Sequence, residues 1–179
     1  MNAIGKLLGI CLGLGAVASS SAVAGSGKLS AGYNHINSDL TLGAIVTRYQ
    51  RDVIAYRGVD FGAEGELSYG VIGDTTEFLA QEIEVDAQFG YGAYATAAYP
   101  LTKKGTNLFV RLGYARQEIG NRLDETTITN EVDGFAYGLG GNWMFTDRQG
   151  VRADALVIQG GDEDTDDLDV YSFSYVFQH

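Results

Sequence analysis

Residues 59–71 read V-D-F-G-A-E-G-E-L-S-Y-G-V, and this stretch decides the fold class of the chain. Side chains alternate between the two faces of a β-strand. One face therefore carries Val59, Phe61, Ala63, Gly65, Leu67, Tyr69 and Val71, and the other carries Asp60, Gly62, Glu64, Glu66, Ser68 and Gly70. A helix would instead place the two glutamates beside the apolar stripe. Ordinary strands average about 5–6 residues, whereas a strand that crosses a membrane needs about 9–11, so this stretch predicts a membrane-spanning strand.

The N-terminal segment has the pattern of a secretory signal peptide. Lys6 precedes an apolar run that continues to Ala18, and the segment ends in an A-x-A site that predicts cleavage after Ala24. The chain is thus expected to consist of a signal peptide, residues 1–24, and a single barrel domain, residues 25–179. The only cysteine lies in the leader, so disulfides are not expected to stabilise the mature protein.

Composition and charge exclude several classes of protein. The chain has 12 basic and 23 acidic residues and a formal net charge of −11, which argues against binding of nucleic acid, because that binding depends on neutralising phosphates. It contains 25 glycines, 11 tyrosines and one proline, a mixture that suits a barrel with a crowded interior. After the leader, no segment approaches the length of a spanning helix. A secreted chain of this kind is either soluble or enters a membrane as a barrel.

The mature sequence divides into eight predicted strands. They cover residues 28–36, 42–51, 59–71, 82–99, 107–117, 134–145, 151–157 and 170–178. Residues 52–57 are predicted as a turn, residues 73–77 as a polar connection and residues 119–132 as the longest loop. In the fourth strand, Val85 and Ala87 are expected to belong to one unbroken apolar edge that continues to Tyr99.

Eight antiparallel strands fit either an outer-membrane barrel or a soluble lipocalin-like barrel. Three features favour the membrane. Acidic connections, including the longest, alternate with basic ones, as expected for outer loops and periplasmic turns. Aromatic residues of the apolar faces form two belts: Tyr69, Tyr114, Phe135 and Tyr171 near the acidic end, and Tyr49, Phe61, Tyr99, Trp143, Phe145 and Phe177 near the basic end. The polar faces combine glycines with charges of both signs, as a narrow lumen requires.

Several stretches resemble those of small outer-membrane barrels. They are L-G-A-I-V-T-R (42–48), G-V-D-F-G-A-E-G-E-L-S-Y-G (58–70), F-V-R-L-G-Y (109–114), Y-G-L-G (137–140), G-V-R-A-D-A (150–155) and V-Y-S-F-S-Y-V (170–176). The chain is similar to the outer-membrane β-barrel domain family, which includes the outer-membrane protein A transmembrane domain and opacity-type proteins. The resemblance covers nearly everything after the leader. It implies location in the outer membrane, contact with lipid and lipopolysaccharide, and insertion by the barrel assembly machinery. Members usually end in phenylalanine, whereas this chain ends in His179.

Charged residues on the polar faces are predicted to point into the barrel and to pair across it. They are Arg48, Glu64, Glu66, Glu84, Asp86, Arg111, Arg152 and Asp154. Eight strands enclose an interior just wide enough for side chains, so these charges predict a plugged, non-porin lumen in a monomeric barrel. A gate or a substrate path is the alternative interpretation of the same set.

The sequence offers few residues for catalysis or metal binding. Some barrels of this kind resemble lipid A-modifying enzymes, which combine a histidine with a serine and a carboxylate. His35 has Ser38 and Asp39 close by in sequence, but a histidine at the barrel rim is the simpler interpretation. An acidic run holds Asp162, Asp164 and Asp166, which could bind a hard cation, although the run lacks the glycine and glutamate of an EF-hand loop. A solvated outer loop is the simpler interpretation there, and no cofactor is expected.

The sequence thus predicts a non-enzymatic, eight-stranded outer-membrane barrel with a structural or surface-interaction role. The alternatives are a narrow outer-membrane channel, a lipid A-modifying enzyme and a soluble periplasmic carrier. The direction of Phe61, Phe89 and Trp143 tests the last of these, because a carrier would turn its apolar faces inward.

Overall fold

The computed structural model describes residues 27–37, 41–78, 81–103, 105–123, 126–161 and 167–179. The strands are β1 (Gly27–Asn37), β2 (Thr41–Tyr56), β3 (Val59–Phe78), β4 (Gln81–Pro100), β5 (Asn107–Leu123), β6 (Thr126–Met144), β7 (Gln149–Ile158) and β8 (Leu168–Gln178). Each strand pairs antiparallel with the next, and β8 pairs with β1. The predicted all-β, eight-stranded antiparallel up-and-down barrel is confirmed. In the part of the chain that is described, no helix is long and apolar enough to cross a membrane.

The two ends of the barrel differ. The turns after β2, β4 and β6 lie at one end, here called the short-turn end. The start of β1 and the end of the chain also meet there, where Gly27 and His179 exchange two backbone hydrogen bonds of 3.2 and 2.9 Å. The opposite end, here called the long-loop end, carries the connections after β1, β3, β5 and β7. The hairpins β3–β4 and β5–β6 extend furthest at this end, because their strands have 17 to 20 residues whereas β1, β7 and β8 have 10 or 11.

Alternation along each strand determines which side chains face the interior. In β3, Glu64 and Glu66 are buried, whereas Phe61 is 40% exposed; in β6, Trp143 is 70% exposed. Phe89 also lies on the outer face, paired with Tyr69 and half-buried beside Tyr91. The apolar faces thus point outward, which excludes the lipocalin-like carrier.

The long hairpins occupy two regions that were predicted as loops. Residues 73–77 and 119–132 lie almost entirely within β3, β5 and β6, so their prediction as loops is wrong. Threonine is a good strand former, and cross-strand pairing of β3 with β4 and of β5 with β6 continues through these residues. The predicted turn at 52–57 is also too long. Strand β2 continues to Tyr56, and only Arg57 and Gly58 turn the chain, with φ of 51° and 80°.

A β-bulge inverts the predicted faces of the upper part of β4. The register shifts between Tyr69 and Gly73 on β3 and between Ala87 and Gly90 on β4. Above this shift Val85 and Ala87 are only 4% and 2% exposed. The prediction that these two residues continue the outer apolar edge is therefore wrong, because an extra residue in one strand exchanges its two faces.

Buried apolar side chains fill the lumen near the long-loop end. This apolar layer consists of Ile36, Leu42, Ala44, Val85, Ala87, Tyr94, Ala115, Val132, Ala136, Leu156, Ile158, Leu168 and Val170. The sequence predicts that the polar faces, with their glycines and charges, line the interior. The layer shows that only part of the lumen is polar.

Candidate functional site in the barrel lumen

Six charged side chains from four strands meet beside the apolar layer. This ionic layer consists of Arg48 on β2, Glu64 and Glu66 on β3, Arg111 on β5, and Arg152 and Asp154 on β7. None of the six is more than 8% exposed. Because three guanidinium groups face three carboxylates, the layer is electrically neutral.

Arg111 lies at the centre of the ionic layer. Its Nη1 donates to Glu64 Oε1 at 3.0 Å and to Glu66 Oε2 at 2.7 Å, and its Nη2 donates to Asp154. The guanidinium carbon lies 4.8 Å from the centre of the Tyr94 ring, within the range of a cation–π contact. Arg111 thus joins β3, β5 and β7 across the lumen.

Arg48 ties the ionic layer to the wall formed by β1 and β8. Its Nε donates to Glu66 Oε2 at 2.6 Å. Its Nη1 donates to Ser174 Oγ at 3.0 Å, and its Nη2 donates to Asn34 Oδ1 at 3.1 Å and Ser172 Oγ at 2.7 Å. Every guanidinium nitrogen of Arg48 therefore has an acceptor, as a buried cation requires.

Arg152 completes the network on β7. Its Nε donates to Asp154 Oδ1 at 2.8 Å, and its two Nη atoms donate to the carboxylate of Glu64, one of them at 3.1 Å. Its guanidinium carbon lies 4.3 Å from the centre of the Phe109 ring. Together with Arg111 and Arg48, these bonds give each of the three carboxylates two arginine partners.

The space between the ionic layer and the short-turn end is also filled. Lys28 Nζ lies 3.1 Å from Asp52 Oδ2, and Asn142 donates to Asn107 Oδ1 at 2.9 Å. The gap that separates these groups from the ionic layer is too narrow to hold a water molecule; it is lined by Lys28, Ser30, Arg48, Gln50, Asn142, Arg152 and Val176. The ionic layer thus has no aqueous opening through this gap.

The structure brings together six of the eight charged residues predicted for the interior. Asp86 does not join them, and its predicted inward direction is wrong. It pairs with Gly120 on the face opposite the buried Ala87, because the bulge exchanges the faces of β4. The side chain of Glu84 lies outside the described part of the structure. The predicted role of the six residues as the structural filling of a plugged lumen, with a gate or a substrate path as the alternative, stays a prediction.

Three residues that accept hydrogen bonds from Arg48 were not predicted from the sequence as members of the site. Ser172 and Ser174 alternate with aromatic residues on β8, and Asn34 alternates with Tyr33 and His35 on β1. Period two places all three on inward faces, so the pattern contained the signal. What the pattern lacked was the height at which each side chain meets its neighbours.

Of the candidates for catalysis and metal binding, only His35 lies among the described residues. His35 lies on the outward side of β1, paired with Gly43 and Tyr171. Ser38 and Asp39 lie outside the described residues, as do Asp162, Asp164 and Asp166. Within the ranges that the structure describes, no group of three or more histidine, cysteine, aspartate or glutamate side chains could hold a metal ion.

The outward surface carries an apolar band with aromatic side chains toward both ends. The predicted belt residues all lie on outward faces, and most are 40–70% exposed. Trp143 and Tyr99 belong to the belt near the short turns, and Tyr114 and Tyr171 to the belt near the long loops. Such girdles mark the two lipid–water interfaces of membrane barrels.

No protein-family model matches the sequence, and no curated protein matches it. Solved structures do match. The crystal structure of Ail, the attachment invasion locus protein of Yersinia pestis, gives a TM-score of 0.61 at 13% identity and covers 88% of this chain and 100% of that chain. Ail has also been solved with the heparin analogue sucrose octasulfate.

Two structures from Pseudomonas aeruginosa are also similar. The outer membrane protein OprG gives a TM-score of 0.59 at 10% identity and covers 87% of this chain and 96% of its own. The N-terminal β-barrel domain of OprF gives 0.55 at 16% identity and covers 87% of this chain and 99% of its own. The chain has the fold of the small eight-stranded outer-membrane β-barrels, as its motifs indicate.

Proposed function

We propose that the protein is a monomeric, non-enzymatic barrel of the outer membrane with a structural or surface-interaction role, and that it does not conduct like a porin. The observation that carries this proposal is the closure of the lumen by two successive layers, one ionic and neutral and one apolar. Proteins of this fold differ in function, so the support for the proposal comes from the contents of the lumen and from the surface at the long-loop end.

The outward surface supports a location in the membrane. A closed barrel satisfies its backbone hydrogen bonds between strands, which is a requirement in hydrocarbon. The apolar band and its two aromatic belts suit lipid, with the short-turn end in the periplasm and the long-loop end outside. In this orientation the outer belt contacts lipopolysaccharide. Insertion is proposed to depend on the barrel assembly machinery.

The two layers would hinder an ion in different ways. In the ionic layer each carboxylate already has two guanidinium partners, so a passing ion would have to break buried, charge-assisted hydrogen bonds. In the apolar layer Leu42, Leu156 and Leu168 are no more than 2% exposed, and an ion there would lose its hydration without compensation. An ion would have to pass both layers.

The test combines fractionation with conductance. The mature protein should fractionate with outer membranes, and a boiled sample should migrate differently from an unboiled sample in SDS, because closed barrels resist unfolding. The purified monomer in a planar bilayer should show little or no steady conductance. Recovery from the periplasm without detergent would contradict the membrane location, and porin-like conductance would contradict the closed lumen and favour the channel.

The long-loop end supports the surface-interaction role, because the hairpins β3–β4 and β5–β6 project beyond the other strands. Ail is named for attachment and invasion and binds a polysulfated ligand in one of its structures. In this chain the described charged residues at the base of the projecting β5–β6 hairpin are mostly acidic, with Glu118, Glu131 and Asp133 around Arg116. These carboxylates would repel a polysulfated ligand, so polysulfate binding is not part of the proposed role.

A further inference from the structure

Part of β6 forms an exposed sheet edge at the long-loop end. Strand β6 pairs with β5 from Thr126 to Asn142, but it pairs with β7 only from Ala136 onward. One more hydrogen bond, from Gln159 N–H to the Phe135 carbonyl at 2.9 Å, ends the pairing on the β7 side. Among the described strands, none pairs with residues 126–133 on this side.

This edge, residues 126–133, is long enough to hold another strand. Its roughly eight residues span about 27 Å at 3.4 Å per residue. In antiparallel pairing about every second residue directs both its N–H and its C=O to the same neighbour, so the edge offers roughly eight backbone hydrogen bonds. Thr129, Asn130 and Glu131 are exposed. Residues 159–161 lie beside Phe135, Gly134 and Asp133, so an added strand would continue the line of β7 beyond Gly161.

Carboxylates belong to the elements on either side of the place where an added strand would lie. Glu118, Glu131 and Asp133 belong to the β5–β6 hairpin, and Asp167 and Asp169 belong to the segment that enters β8. Among these neighbours, Arg116 is the one basic residue whose side chain the structure describes; it forms ion pairs with Glu131 and, at 3.8 Å, with Glu118. For the described side chains, five carboxylates against one guanidinium group leave a negative potential beside the edge. A cationic partner is favoured and an anionic one is repelled.

We infer that the β6 edge binds an extended, cationic polypeptide segment of another protein, which adds to the sheet as an antiparallel strand. Backbone hydrogen bonds along residues 126–133 supply the register, as in other cases of strand addition. The carboxylates supply the preference for basic side chains. This inference rests on the proposed surface-interaction role and names the chemistry of the partner.

The test uses the folded mature protein in lipid nanodiscs and three ten-residue peptides. The first peptide alternates lysine with valine, the second replaces each lysine with glutamate, and the third is the lysine peptide with alternate backbone nitrogens methylated. Amide hydrogen exchange is measured by NMR at about 0.15 M salt, where charges more than about 8 Å apart are screened. The lysine peptide should slow exchange in residues 126–133, and the other two peptides should not.

Two variants separate strand addition from general electrostatic attraction. Thr129→Lys adds a positive charge at the edge and should weaken binding of the lysine peptide at least about tenfold. Thr102→Lys changes the net charge equally but lies in the turn at the opposite end of the barrel, so binding should be unchanged. Thr102 is exposed, which makes it a matched control.

Several results would overturn the inference. They are equal protection by the methylated peptide, protection confined to residues 73–78 at the other sheet edge, weakening of equal size in the Thr102→Lys variant, and no protection at all. Each would reject strand addition at β6 while the barrel remains folded, as its unboiled migration in SDS would show. The closed-barrel proposal fails instead by conductance or by fractionation, so the two failures are distinguishable.

Discussion

Replacing Arg111 with methionine should destabilise the barrel by several kcal/mol. Arg111 is completely buried and donates to Glu64, Glu66 and Asp154. Methionine fills a similar space without a charge. The substitution therefore leaves the chain able to form the same strands and removes the central cation of the ionic layer.

The expected loss of stability follows from the hydrogen bonds and charges that remain in the ionic layer. Glu66 keeps its 2.6 Å bond from Arg48, and Glu64 and Asp154 keep their bonds from Arg152. Two guanidinium groups then face three carboxylates, so one negative charge is left uncompensated in the lumen. Removing one partner of a buried ion pair costs about 3–5 kcal/mol. At 1.36 kcal/mol per factor of ten, this is roughly a 150- to 5,000-fold change in the unfolding equilibrium.

The assay is reversible unfolding by urea in lipid vesicles, followed by tryptophan fluorescence. Trp143 is the only tryptophan of the chain and is 70% exposed on the outward face, so its emission reports transfer between lipid and water. The matched control is Arg116→Met. Arg116 forms an ion pair with Glu131, but their side chains are 31% and 46% exposed, and such surface pairs contribute about 0–1 kcal/mol.

A double variant tests whether charge balance is the cause. Adding Glu64→Gln to Arg111→Met leaves two guanidinium groups and two carboxylates, and Arg152 can still donate to the amide oxygen. The double variant should therefore unfold at a higher urea concentration than Arg111→Met alone. Charge balance is refuted as the cause if Arg111→Met costs no more stability than Arg116→Met. It is also refuted if Glu64→Gln lowers the stability of the Arg111→Met variant further by its full individual cost.

Two further predictions use matched pairs in the same assay. A β-carbon on Gly70 would collide with the backbone carbonyl of Ala87 at the bulge, whereas one on Gly65 meets nothing within 4 Å. The Gly70→Ala variant should therefore lose about 1–3 kcal/mol of stability, and the Gly65→Ala variant much less. Equal losses would show that the bulge is not tightly packed. Leu156 is 2% exposed in the apolar layer and Leu139 is 67% exposed on the outward face. Leu156→Ala should cost about 2–5 kcal/mol because it leaves a cavity, and a cost no greater than that of Leu139→Ala would contradict a close-packed layer.

Period-two alternation alone determined most of the architecture. It predicted eight strands, their order and the outward direction of residues such as Phe61 and Trp143, because one face of these strands is apolar and the other polar. The same alternation placed Glu64, Arg111 and Arg152 in the lumen. Local pattern suffices here because the alternation around each of these residues is unbroken.

Only the tertiary structure decided which inward side chains meet. Arg152 and Glu64 are 88 residues apart in sequence, and the stagger of the strands around the closed barrel sets which of them share a height. A register shift in β4 turned Val85 and Ala87 inward and Asp86 outward. The alternation of residue types does not show where a bulge adds a residue to one strand. A single bulge therefore exchanges the inward and outward faces of the strand beyond it. The division of the lumen into an ionic layer and an apolar layer follows from these two effects.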